Sequence, residues 1–278
     1  MREVLIRGLS GLLYVAFLLL AIFSWEISYL LLIFVFGCIC MYEYLKLVKI
    51  KSYVPYLLLV VTVVVFCYLI PSNYIALGYT KPTNHITLVF LSITIMTNLY
   101  LIKNLIRPSE RYITVAQKYI YLLFYIIGGF VFTIILPSYR GEYTSYLVAS
   151  VFALIWINDT FAFIVGKSIG KHKLLERISP KKTVEGFLGG LVFSCIASIF
   201  IYKFTELLSI QLWITVAIVT SVFGTLGDLI QSQLKRQAGV KDSGQLMPGH
   251  GGIYDRLDSI IFASPFIYLF LIVLDYVS

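Results

Sequence analysis

Residues 119–137 read Tyr119-Ile-Tyr-Leu-Leu-Phe-Tyr-Ile-Ile-Gly128-Gly-Phe-Val-Phe-Thr-Ile-Ile-Leu-Pro137, without one charged side chain. A helix of about 20 mainly apolar residues crosses the hydrocarbon core of a bilayer. Comparable runs recur near 8–24, 27–45, 53–71, 86–106, 145–166, 184–204, 211–230 and 259–276. Nine spans are therefore expected. The runs are long and continuous, whereas barrel strands would be short and alternating. Composition agrees: of 278 residues, 59% are hydrophobic and only 13% charged, with a mean hydropathy of +0.90. A soluble domain carries about 25% charged residues. A soluble enzyme, a disordered chain, a disulfide scaffold and a fibrous repeat are excluded.

The expected fold is an all-α, polytopic membrane bundle. Residues 1–137 would form N-terminal helices. Residues 138–278 would form C-terminal helices with cytosol-facing catalytic loops at 167–184 and 231–258. Arg2 and Arg7 precede the first run, but bulky Ala21-Ile-Phe-Ser-Trp25 offers no small-residue cleavage site, so a retained span is expected.

The net charge is +8, from 22 Lys+Arg against 14 Asp+Glu. With the N-terminus in the cytosol and nine alternating spans, only Lys81, Arg140 and Lys203 fall outside; every other base falls inside. That asymmetry obeys the positive-inside rule and puts the C-terminus outside. Cys38, Cys40, Cys67 and Cys195 all fall within expected spans, where they read as small packing residues. No nucleic-acid partner is expected, and a homodimer is compatible with the sequence.

Two cytosolic segments carry the chemistry. The first holds Asn158-Asp159, then Lys167, Lys171 and Lys173, then Ser179-Pro-Lys181-Lys182-Thr-Val-Glu185-Gly186. The second holds Asp228, Ser232, Lys235-Arg236, Lys241-Asp242, Pro248-Gly249-His250-Gly251-Gly252 and Asp255-Arg256-Leu-Asp258. Asp228 either ends its helix at the interface or faces a cavity, and Ser232 lies four residues on, on the same helical face. Asp255 and Asp258, at i and i+3, point the same way if they open the last helix. These three carboxylates suit a hard cation, since Mg²⁺ takes one or two carboxylates and leaves other positions to water and phosphate.

The bases beside them suit phosphate, with Arg as a fork and Lys as a mobile charge. The glycines of 248–252 let backbone N–H groups approach an anion. His250 reads equally as a proton shuttle, a phosphate donor or a structural loop residue. Asp159 reads as a ligand, an ion-pair partner for a loop lysine, or a polar helix contact. Glu185 is expected to interact with the N-terminus of its helix. Glu43, near the end of the second span, reads as interfacial.

The pattern Ser232-x-x-Lys235-Arg236-x4-Lys241-Asp242-x5-Pro248-Gly-His-Gly-Gly252-x-x-Asp255-Arg256-x-Asp258 resembles the signature of the phosphatidate cytidylyltransferases, or CDP-diacylglycerol synthases. The segments at 158–159, 170–173 and 179–186 are similar to that family too. The resemblance implies transfer of CMP from CTP to phosphatidic acid, giving CDP-diacylglycerol and pyrophosphate. It implies Mg²⁺ held by Asp228 and Asp255, with Asp242 and Asp258 as further candidates, and a second cation such as K⁺. Lys235, Arg236, Lys241 and Arg256 would clamp phosphates. Asp159, Lys167, Lys171, Ser179, Lys181, Lys182, Ser232, Gly249, Gly251 and Gly252 would line the substrate site.

The chemistry suits such a reaction, because a phosphate nucleophile needs positioning and charge neutralisation more than a strong base. The expected location is a bacterial cytoplasmic membrane with the active site facing the cytosol. Two other readings compete: a CTP-dependent polyprenol or lipid kinase, which would release CDP, and an ion-coupled transporter. The clustering of acids with bases in one loop argues against the transporter.

Overall fold

The computed structural model describes residues 2–69, 85–107 and 113–277. Lys81 and Arg111, and the last positions of the third expected span, lie outside these residues. Nine helices run through the described residues: α1 (Arg2–Ser24), α2 (Glu26–Leu47), α3 (Val54–Val64, extended by a π-helical stretch Val65–Leu69), α4 (His85–Ile106), α5 (Val115–Ser138), α6 (Ser145–Ile169), α7 (Val184–Thr205), α8 (Ile210–Gln237) and α9 (Tyr254–Val277). Seven of them are long and apolar enough to cross a membrane, while Gly8–Ser24 and Val54–Tyr68 are shorter apolar helices. The bundle is apolar on both sides. Trp213, Phe130 and Phe262 fill its interior, while Phe17, Leu20, Phe200 and Phe204 stand exposed on its outside. Exposed apolar surface on this scale marks contact with lipid.

Local sequence explains the helix ends. Thr114 caps α5, accepting from Gln117 N–H while the Gln117 side chain accepts from Thr114 N–H. Thr183 and Ser209 cap α7 and α8 through their hydroxyls. Helix α5 widens to π-helical bonding over Tyr121–Ile127, then returns to α-helix at Gly128.

Two expectations about the catalytic segments need correction. The 231–258 segment is a loop only between α8 and α9. Helix α8 continues to Gln237, so Ser232, Lys235 and Arg236 are helical, and Tyr254 already opens α9. The apolar run that set the earlier boundary ended with burial in lipid, not with the helix. The 167–184 segment is not wholly irregular either. It folds into an antiparallel hairpin of β1 (Lys173–Leu175) and β2 (Ser179–Thr183), pairing Lys173 with Thr183 and Leu175 with Ser179. Pro180 is tolerated there because a two-stranded ribbon consists of edges.

Side-chain bonds place the helix ends. At one end of the bundle, Tyr44 OH donates to Lys118 O, Lys118 Nζ to Val48 O, Arg177 Nη2 to Leu105 O and Gln233 Nε2 to Asn104 O. At the other, Ser138 Oγ donates to Glu26 Oε1 and Tyr143 OH to Ile22 O. The first end gathers the ends of α2, α4 and α8, the start of α5, and the turn of the hairpin.

Helices α8 and α9 cross in backbone contact at Gly227, where a Cβ would lie 2.6 Å from Asp258 O and 2.6 Å from Phe262 Cβ. This close approach sets Asp228 beside the first turns of α9. Gly227→Val should force the two helices apart and destabilise the fold by about 1–3 kcal/mol, as overpacking does. Thermal unfolding of the purified protein reads this directly; an unchanged midpoint would contradict the crossing.

Candidate active site

A cavity of about 860 Å³ opens where α1, α6, the hairpin, α7, α8 and the start of α9 meet. Its apolar lining comes from Val15, Ile155, Trp156, Ala162, Phe163 and Phe187. Its charged and polar lining comes from Asp159, Lys167, Lys181, Lys182, Asp228, Lys235, Asp242, His250, Asp255, Arg256 and Asp258. Residues from five separate stretches of sequence thus converge on one cavity. Lys171, Ser179, Ser232, Arg236, Lys241, Gly249, Gly251 and Gly252 do not line this cavity.

Several of these second-rank residues have defined work nearby. Ser232 Oγ donates to Asp228 Oδ1 at 3.2 Å, across one helical turn. Arg236 Nη1 donates to Val240 O at 2.9 Å and so closes the C-terminus of α8. Lys171 N–H donates to Glu185 Oε2, and His172 Nδ1 lies 2.6 Å from Glu185 Oε1. Glu185 therefore sits in the first turn of its helix, as expected, and also ties down the strand entering the hairpin.

Two carboxylates expected as metal ligands each hold a lysine. Lys182 Nζ reaches Asp228 Oδ2 at 2.5 Å, and Lys235 Nζ reaches Asp255 Oδ1 at 2.6 Å. Burial penalises the Lys182 ammonium, but Asp228 beside it outweighs that penalty and holds its pKa above the ordinary lysine value. The Lys235–Asp255 pair is almost wholly buried, with side chains 10% and 5% exposed.

Asp255 accepts further from Gln231 Nε2 at 2.8 Å, and from the N–H groups of Ser243 and Gly252, each at 2.9 Å. From the glycine-rich turn the Gly252 N–H does meet an anion, but that anion is the protein's own Asp255. Gly249 (φ +75) and Gly251 (φ +88) supply the left-handed backbone the turn requires.

Asp159, Asp228, Asp255 and Asp258 bring carboxylates to the cavity lining, oxygen donors of the kind a hard cation takes, though Asp228 and Asp255 already hold lysines. Asn158 Oδ1, on the same lining, is buried with no hydrogen-bond partner among the described residues. Asp258 Oδ1 accepts from Ser259 N–H in its own turn. Among the described residues no three Asp, Glu, His or Cys side chains enclose a metal by themselves. A divalent ion there would need phosphate or water to complete its shell. His250 meets Ser10: Nδ1 lies 2.8 Å from Ser10 Oγ, which also approaches Pro248 O at 3.1 Å. Helix α1 thus reaches the turn.

Glu43, expected at the interfacial end of the second span, is buried in protein there: it is 3% exposed and accepts from Ser243 Oγ, Ile253 N–H and Tyr254 N–H. Its signal was weak: one acid at a helix end, whose partners lie some 200 positions downstream. Gln231 and Ser243 were likewise passed over, because neither is ionisable.

Comparison with known proteins agrees with this geometry. The chain is 36% identical to the phosphatidate cytidylyltransferase of Bacillus subtilis over 269 residues, covering 95% of this chain and 96% of that one. It is 51% identical to the enzyme of the same name from Staphylococcus haemolyticus over 122 residues, 44% of this chain and 47% of that one. It is 47% identical to that of Staphylococcus epidermidis over 134 residues, 48% and 51% of the two chains. Residues 5–274 match the family described as the cytidylyltransferase family. A membrane bundle with acids and bases facing across one cavity thus belongs to the cytidylyltransferase family.

Proposed function

We propose that this nucleotidyltransferase moves CMP from CTP to phosphatidic acid, giving CDP-diacylglycerol and pyrophosphate. One observation carries the reading: the cavity is amphipathic, lined by apolar side chains from α1, α6 and α7 and by lysines and carboxylates from α6, the hairpin, α8 and α9. A diacyl lipid phosphate and a water-soluble triphosphate together require such a mixed lining. The site lies at the basic end of the bundle. By the positive-inside rule that end faces the cytosol of a bacterial cytoplasmic membrane, where CTP is found.

In this mechanism an oxygen of the lipid phosphate attacks the α-phosphorus of CTP. The bond from that phosphorus to the α–β bridging oxygen breaks, and pyrophosphate leaves with the bond electrons. The nucleophile is already ionised, so no side chain has to remove a proton. What the chain supplies is alignment of two anions that repel each other. Lys182 and Lys181, on the hairpin, and Lys235 and Arg256, on α8 and α9, neutralise the phosphates.

Asp228 and Asp255 would hold a divalent cation such as Mg²⁺, with Asp258 and Asn158 Oδ1 as further oxygen donors. When bound, that ion supplies charge neutralisation at the phosphate oxygens. Lys182 and Lys235, now on the two carboxylates, would then be released toward phosphate. Asp242 and His250 face the same space and would contact the polar part of a substrate.

The reaction test uses purified protein with labelled CTP, phosphatidic acid and Mg²⁺. CDP-diacylglycerol and pyrophosphate are expected; release of CDP instead would mean a kinase. Chelation, and separately Asp228→Ala, should each lower turnover at least about 100-fold, since both remove charge stabilisation from the reacting phosphates. Full activity in either would remove the cation from the mechanism.

The buried pair can be tested apart from turnover. Lys235→Met strands Asp255 and should cost about 3–5 kcal/mol, while adding Asp255→Asn should return part of it. Thermal unfolding of the single and double variants measures the coupling, and purely additive losses would argue against the pair.

A further inference from the structure

Glu43 stands near the end of α2, yet its hydrogen-bond partners among the described residues belong to the turn before α9 and to the first residue of α9. Ser243 Oγ donates to its Oε2 at 2.8 Å, Tyr254 N–H to Oε2 at 2.9 Å and Ile253 N–H to Oε1 at 3.2 Å. These N–H groups belong to the start of α9, so the charge of Glu43 sits on the positive end of that helix. The turn is closed tightly around it. A Cβ at Gly252 or at Gly244 would collide with the Glu43 carboxylate.

Ser243 connects this carboxylate to the cavity. Its Oγ lies 3.0 Å from Asp255 Oδ2 as well as 2.8 Å from Glu43 Oε2, and its N–H donates to Asp255 Oδ2 at 2.9 Å. A hydroxyl has one proton, so Ser243 serves one carboxylate at a time, and the backbone N–H keeps it beside Asp255. Asp255 in turn holds Lys235 at 2.6 Å on the cavity wall. A shift at Glu43 therefore reaches Lys235 through two hydrogen-bonded neighbours.

The geometry points to Glu43 as a positioning residue: from α2 it clamps the 243–254 turn and, through Ser243, sets Asp255 and Lys235 at the cavity wall. This inference rests on reading the cavity as the reaction site. Glu43 touches no part of the cavity lining that a substrate would meet, so its loss should be felt in turnover rather than in affinity.

The experiment compares wild type, Glu43→Ala and Glu43→Gln, each purified as the full chain. Steady-state kinetics, thermal unfolding and amide hydrogen exchange of residues 243–256 are measured together. Glu43→Ala should lower kcat about 100-fold while moving the KM for CTP less than about threefold. Glu43→Gln keeps the volume and one acceptor, and should recover about tenfold of that loss. In Glu43→Ala the amides of Ser243, Ile253 and Tyr254 should exchange faster, with those of α7 unchanged.

Wild-type kcat in Glu43→Ala, or unchanged exchange at 243–254, would overturn the inference. So would a Gln variant no better than Ala, with kcat falling only as the folded fraction falls. If wild type forms no CDP-diacylglycerol, the reaction reading fails on its own. The exchange measurement still decides the clamp, upholding it when the turn loosens and overturning it when the turn does not.

Discussion

A carboxylate taken out of water must have its charge answered by donors close at hand. The basic end of this bundle is organised by that requirement. Asp255 is met by an ammonium, an amide and two backbone N–H groups, and Asp228 by Lys182 and Ser232. Each solution draws on a different helix or loop, so satisfying the acids assembles the cavity. The donors come from β2, α8 and the turn before α9, and each is held in place by the anion it serves. Remove one acid and several elements lose the reason for their arrangement.

The same requirement explains the composition of the cavity. Its bases are not simply a surface excess drawn to anionic lipid. Lys182 and Lys235 are paired to acids within the protein, whereas Lys167 lies over the Phe163 ring with its ammonium 5.9 Å from the ring centre. Arg256 donates to His250 O at 3.0 Å and so binds the turn to α9. The Lys235–Asp255 pair, with side chains 10% and 5% exposed, is screened less than a pair on an open surface and counts for more. The apolar lining belongs to α1, α6 and α7, helices that also expose large apolar side chains such as Phe17, Ile164 and Phe200.

Much of this was legible in the residues. Long uncharged runs such as 119–137 dictated helices, because a chain in lipid must satisfy its backbone within each segment. The spacing of Asp255 and Asp258 placed both on one side of α9, and both line the cavity. The boundaries were less legible. Hydropathy reports where lipid stops, whereas α8 runs on until Gln237 and carries Lys235 inward. The hairpin escaped notice because three-residue and five-residue strands rich in lysine show no apolar alternation. The glycine-rich turn was read for donors to a bound anion, whereas the Gly252 N–H serves the internal acid Asp255, which no local pattern reveals. Glu43 was least legible of all, since its environment is made entirely by residues remote in sequence.

That remoteness bears on how the molecule is built. Helix α2 is made earlier, and the groups that answer its buried acid, Ser243, Ile253 and Tyr254, follow 200 to 211 residues later. Until α9 enters the membrane, the foot of α2 must keep its carboxylate in contact with water or carry it protonated. The early helices can insert one by one, but they cannot finish packing against each other at this end. Closure of the cavity is therefore tied to the arrival of α9, and a chain truncated before α9 would be left with an open, hydrated seam at this end.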